Sequence, residues 1–69
     1  MKLSARNQLK GTIVEIQEGA VNAIVKINIG NDNILTADIT VQSVKELGLT
    51  VDKEVYAVIK ATNVMVGVE

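Results

Sequence analysis

The chain has 69 residues, 48% of them hydrophobic, with 7 basic and 8 acidic side chains for a formal net charge of -1. That is room for one domain, residues 1–69, and a domain of this size buries only ~60% of the surface its unfolded chain exposes. The absence of Cys and His removes disulfides, thiolate nucleophiles, imidazole bases and the usual ligands of zinc, copper and iron, and the charge balance provides no basic field for nucleic acid or an anionic membrane.

The apolar content is Val, Ile, Leu and Ala along the whole chain, with Tyr56 as the lone aromatic residue. One small core does not hide that much, which predicts a buried interface with further copies of the chain. No run of ~18 apolar residues could span a bilayer, and no secretory leader pattern opens the chain. The expectation is a cytoplasmic protein with no membrane partner.

The first element is an extended run from Leu9 to Gln17, with Gly11 where a long strand must coil or bulge, and Glu18-Gly19 reads as a tight turn. From Val21 the alternation is strict, interrupted only by Ile24: Val21, Ala23, Val25, Ile27 and Ile29 share one face, and Asn22, Lys26 and Asn28 the other. The turn GNDN, Gly30 to Asn33, is rich in residues that tolerate positive φ, and it leads into a third strand in which Leu35, Ala37 and Ile39 alternate with Thr36 and Asp38.

The period changes in TVQSVKELGL, where Val41, Val44 and Leu47 recur at helical spacing, Thr40 offers an N-cap hydroxyl and Gly48 stops the helix. After an Asp52-Lys53 turn, EVYAVIK alternates through Val55, Ala57 and Ile59, and TNVMVGV through Val64, Val66 and Val68. The expected fold is therefore all-β, in the order β-β-β-α-β-β: a five-stranded OB-fold-like barrel with one short helix. An SH3-like barrel is the competing topology, but its helical element comes later. Both faces are apolar around Val64, Met65 and Val66, which makes them the expected subunit contact.

OB-folds often bind single-stranded nucleic acid on aromatic platforms in a basic groove, and this chain has neither. An enzyme is not expected, because the acids Glu15, Glu18, Asp32, Asp38, Glu46, Asp52, Glu54 and Glu69 form no recognisable pair. What remains is hydroxyls and a few placed cations, among them the only arginine, Arg6.

The start SARNQLKGTI, the helical segment TVQSVKELGL and the ending VIKATNVMVGV together resemble the molbindin (Mop) family, small proteins that bind molybdate and tungstate. The resemblance covers essentially the full length. It implies an OB-like domain assembled as a hexamer, a trimer of dimers, that holds molybdate or tungstate at subunit interfaces and serves intracellular molybdenum storage or homeostasis. The residues suit that chemistry. Molybdate near neutral pH is a dianion with four acceptor oxygens and nothing to donate, so its site needs donors and no carboxylate.

By resemblance, Ser4 and Arg6 give a hydroxyl and a guanidinium, Ala5 and Asn7 give backbone N–H groups, and Lys60 gives a second cation. The neighbouring subunit gives the hydroxyls of Thr40 and Ser43, at the start of the expected helix, where a helix dipole favours an anion. The family often has Ser where this chain has Ala61, so a hydroxyl donor is lost unless Thr62 or the Ala61 N–H substitutes for it. A second kind of oxyanion site, built from backbone amides near the threefold axes, falls on the turn Gly19-Ala20-Val21-Asn22. The rival expectations are an OB-fold nucleic-acid-binding module and a structural oligomer without a ligand. For single residues, the ordinary alternatives are a surface ion pair for Arg6 and a helix cap for Thr40 and Ser43.

Overall fold

The computed structural model describes residues 1–69. The elements are β1 (Asn7–Glu18), β2 (Asn22–Asn28), β3 (Ile34–Thr40), α1 (Val41–Glu46) and β4 (Glu54–Ile59), followed by a 3-10 turn over Ala61–Asn63. The strands form one antiparallel sheet in the order β3-β2-β1-β4.

Strand β1 is long because it serves two neighbours. Its first half, Asn7 to Thr12, pairs with β4, and its second half, Thr12 to Glu18, pairs with β2. The register shifts between Ile13 and Glu15, a bulge that bends the strand and curls the sheet. Gly11 sits at the inside of this bend: a Cβ there would lie 2.6 Å from the Asn28 carbonyl oxygen and 2.7 Å from Ile27 Cγ2. Only glycine lets the strands approach so closely.

The alternation read in β2 becomes burial. Ala23, Val25 and Ile27 point inward and join Ile13, Val44 and Ala57 in the core. The turn after β2 has Asn31 and Asp32 at φ 50° and 60°, both central residues in the left-handed region, as the twist of a tight hairpin requires. Helix α1 begins at the Thr40 cap, whose Oγ1 accepts the Ser43 N–H at 3.0 Å. It ends at Gly48, φ 62°, with Gly48 N–H bonded to the Lys45 carbonyl and Leu49 N–H to that of Val44, a Schellman closure. Lys53 Nζ donates to the carbonyls of Leu47 and Gly48 at 3.1 and 3.0 Å.

The expected fifth strand is where the structure departs from the reading. Lys60 to Val64 form the 3-10 turn, held by Asn63 N–H to the Lys60 carbonyl at 2.9 Å and Val64 N–H to that of Ala61 at 3.3 Å. Beyond it, Val64–Glu69 pairs with no strand, and Met65, Val66 and Val68 are 92%, 93% and 95% exposed. A strand needs an edge to pair with, and the turn carries this segment away from both edges of its own sheet. The all-β, OB-like class holds, with four strands in the sheet of one chain.

Candidate functional site

The ladder between β1 and β4 ends at the rung Asn7–Ile59, and the Asn7 side chain reinforces that rung by donating Nδ2–H to the Ile59 carbonyl at 3.2 Å. The segments that continue past it, Ser4 to Arg6 on one side and Lys60 to Thr62 on the other, are therefore brought together at one end of the sheet. Gln8 braces the first of them from below, its Nε2 donating to the Ala5 carbonyl at 3.3 Å.

This end of the molecule is rich in uncommitted donors. The backbone N–H groups of Ser4, Ala5, Arg6, Ala61 and Thr62 have no acceptor within the chain, and neither do the hydroxyls of Ser4 and Thr62. Arg6 and Lys60 are exposed and carry no carboxylate partner, the one ion pair in the structure being Lys10 with Glu54 at 3.3 Å. The surface ion pair that would have explained Arg6 is thus not formed. No Asp or Glu occurs from Met1 to Val14 or from Val55 to Val68, so both segments present positive charge and hydrogen-bond donors without competing acids.

Thr40 and Ser43 lie elsewhere. Thr40 forms a rung with Asn22, at the end of the sheet where β1 finishes, so that β1 separates it from Arg6 by about 35 Å of extended chain. The Thr40 hydroxyl donates to Ser43 Oγ at 2.9 Å, leaving one hydroxyl proton of the pair free. With only six residues, α1 is too short for its dipole to matter much; the hydroxyls are what this position offers.

The turn Gly19–Asn22 adjoins Thr40 at the same end. Gly19 N–H is taken by the Asn22 carbonyl at 2.8 Å, Asn22 Nδ2 by Asp38 Oδ1 at 3.0 Å, and the Val21 carbonyl receives the Val41 N–H at 2.8 Å. The N–H groups of Ala20 and Val21 have no acceptor within the chain, whereas that of Gly19 is taken. The sequence-read residues thus fall into two clusters, one at each end of the sheet, and neither of the two concavities in the molecule includes Arg6, Lys60, Thr40 or Ser43. A chain by itself does not bring the two clusters together. Gln8, which braces the first, carries no signal in the sequence, because its role depends on where the Ala5 carbonyl points.

Residues 3–66 match the TOBE domain. A probable molybdenum-pterin-binding protein of Haemophilus influenzae is 62% identical over 69 residues, spanning 100% of both chains. The chain belongs to the TOBE-domain family, in its molbindin branch. The molbindin fold is equally plain in solved structures: a molybdate-binding protein from Sporomusa ovata superposes with a TM-score of 0.89 at 39% identity, over 96% of this chain and 97% of that one. The cytoplasmic molybdate-binding protein ModG, solved with molybdate bound, superposes with a TM-score of 0.93 at 45% identity, over 100% of this chain and 49% of ModG. No helix of this TOBE domain is long and apolar enough to cross a membrane.

Proposed function

We propose that the chain binds molybdate or tungstate at the interfaces of a hexamer, a trimer of dimers, and so stores and buffers molybdenum in the cytoplasm without catalysing a reaction. The observation that carries this is the cationic end of the sheet, where Arg6 and Lys60, both without a carboxylate partner, flank the Asn7–Ile59 rung amid free N–H groups. A tetrahedral dianion matches that donor set: the Arg6 guanidinium and Lys60 ammonium supply charge, Ser4 and Thr62 hydroxyls, and Ala5 and Ala61 backbone N–H groups.

The partner half-site is Thr40 and Ser43 of a neighbouring copy, whose one free hydroxyl proton points the pair toward an acceptor-only ligand. The placement of the two clusters at opposite ends of β1 supports a site completed between subunits, as does an exposed apolar tail on a chain with six buried residues. Binding is reversible and needs no covalent step. Ala20 and Val21 are the donors for a second oxyanion site of backbone type.

Titration calorimetry with molybdate, run in the presence and absence of excess sulfate, tests the reading. Arg6→Ala and Lys60→Ala each remove charge-assisted hydrogen bonds worth ~1.5–3 kcal/mol, so affinity should fall about ten- to hundredfold while the far-UV spectrum and native mass stay as they were. Unchanged molybdate binding in both variants would place the site elsewhere. A wild-type chain that took up single-stranded oligonucleotide but no oxyanion would overturn the function itself.

A further inference from the structure

Strand β3 places a carboxylate beside the Thr40–Ser43 hydroxyls. Thr36, Asp38 and Thr40 alternate with the more buried Leu35, Ala37 and Ile39 and share the exposed face of the sheet. Residues two apart on one face of a strand are separated by about 7 Å, which is the spacing of Asp38 from Thr40 along β3. Asn22 is the rung partner of Thr40, across the ladder on the same face. Its Nδ2 donates to Asp38 Oδ1 at 3.0 Å, and this diagonal bond holds the carboxylate on the side that leads to Thr40.

The ordinary account of Asp38 is a solvated side chain on a strand face, and two observations weigh against it. Strands disfavour aspartate, yet this one is the fifth of seven residues in β3. Nor does any cation balance it. Lys26 of β2 lies on the same face, opposite Thr36, and forms no ion pair with it. Its one hydrogen-bond donor, the Asn22 amide, is neutral.

We propose that Asp38 limits the affinity of the oxyanion site. Its charge opposes a dianion held by the adjacent Thr40 and Ser43, and in the empty site it offers a counter-charge to Arg6 and Lys60 of the neighbouring copy. This rests on the oxyanion reading, in which those cations and hydroxyls meet across an interface. Donors alone would grip an acceptor-only dianion with nothing to oppose them, and a store must also release its load. Asp38 supplies the opposition without touching the ligand. It accepts from Asn22 and from neither hydroxyl, so the free proton of the Thr40–Ser43 pair stays available to the oxyanion.

The test is Asp38→Asn in the full chain, a change that removes the charge and keeps an Oδ1 acceptor for Asn22. In molybdate calorimetry at low salt the variant should bind about three- to tenfold more tightly than wild type, the effect of lifting one like charge from a dianion at this range. Most of that gain should vanish at ~1 M salt, where the Debye length is about 3 Å. A change in strand packing would not follow ionic strength in this way. Asp32→Asn is the control. It alters the net charge equally at the other end of β3, in a turn whose φ of 60° asparagine tolerates, and should leave affinity within about twofold.

Equal or weaker molybdate binding by Asp38→Asn overturns the proposal and leaves the oxyanion reading standing. A gain matched by Asp32→Asn overturns it by assigning the effect to net charge. So does a gain that persists at high salt, by assigning it to shape. Binding of molybdate by neither the wild type nor Asp38→Asn overturns both the limit on affinity and the oxyanion reading.

Discussion

Strand β2 and the tail share one pattern and meet opposite fates. In β2, Ala23, Val25 and Ile27 recur at every second position and are buried at 1%, 2% and 6% exposure; in the tail, Val64, Val66 and Val68 recur with the same period and are exposed. A period of two says which side chains share a face and nothing about what that face meets. For β2 the partner follows in sequence, one tight turn away on each side. For the tail no edge of its own chain is in reach.

The difference can be broken by a charge placed in each segment. Val25→Asp buries an unpaired carboxylate beside Ile13 and should unfold the chain outright, since such a burial costs several kcal/mol and a domain of this size has little to spare. Loss of the cooperative thermal transition would show it. Val66→Lys, at the matching position of the tail, should keep the sheet and weaken assembly, and with it oxyanion binding at the interface. An Ile13→Ala change is milder, at ~2–5 kcal/mol, and should lower the melting temperature at every protein concentration. Tail variants should lower it only where the chain is concentrated enough to associate.

Gly11→Ala comes next. Its Cβ would meet the Asn28 carbonyl oxygen at 2.6 Å, and as neither backbone can yield freely the expected loss is ~1–3 kcal/mol, measured by urea denaturation. Thr40→Ala removes the helix cap for ~1 kcal/mol and should also weaken molybdate binding, whereas Thr40→Ser should restore both. Failure of Thr40→Ala to change affinity would leave Thr40 as a cap alone. Lys10→Ala, which breaks an exposed ion pair with Glu54, should change stability by less than ~1 kcal/mol.

Local chemistry explains what was legible in the chain. The GNDN turn, the Thr40 cap and the Gly48 stop each depend on residues within a few positions of one another, and each is found where the sequence puts it. The inward faces of β2 and β3 were readable for the same reason. The fifth strand was read from alternation alone, and Val64–Glu69 forms no strand in the structure. At the site, Arg6 and Lys60 stood out through resemblance, but their meeting at the Asn7–Ile59 rung required the β1–β4 register. The free N–H groups could not be read at all, because whether an amide is satisfied is known only after every ladder has been paired.

The Asn7–Ile59 rung has one more consequence. Adjacent strands lie about 4.7–4.9 Å apart, and this rung is locked further by the Asn7 side chain, so the backbone roots of Arg6 and Lys60 are spaced by a sheet and not by a loop. The points from which the two cations leave the backbone are therefore held by the ladder, while their exposed side chains, both outside the strands, are free to swing. The sheet sets where the two charges start, and the side chains set how far apart they end.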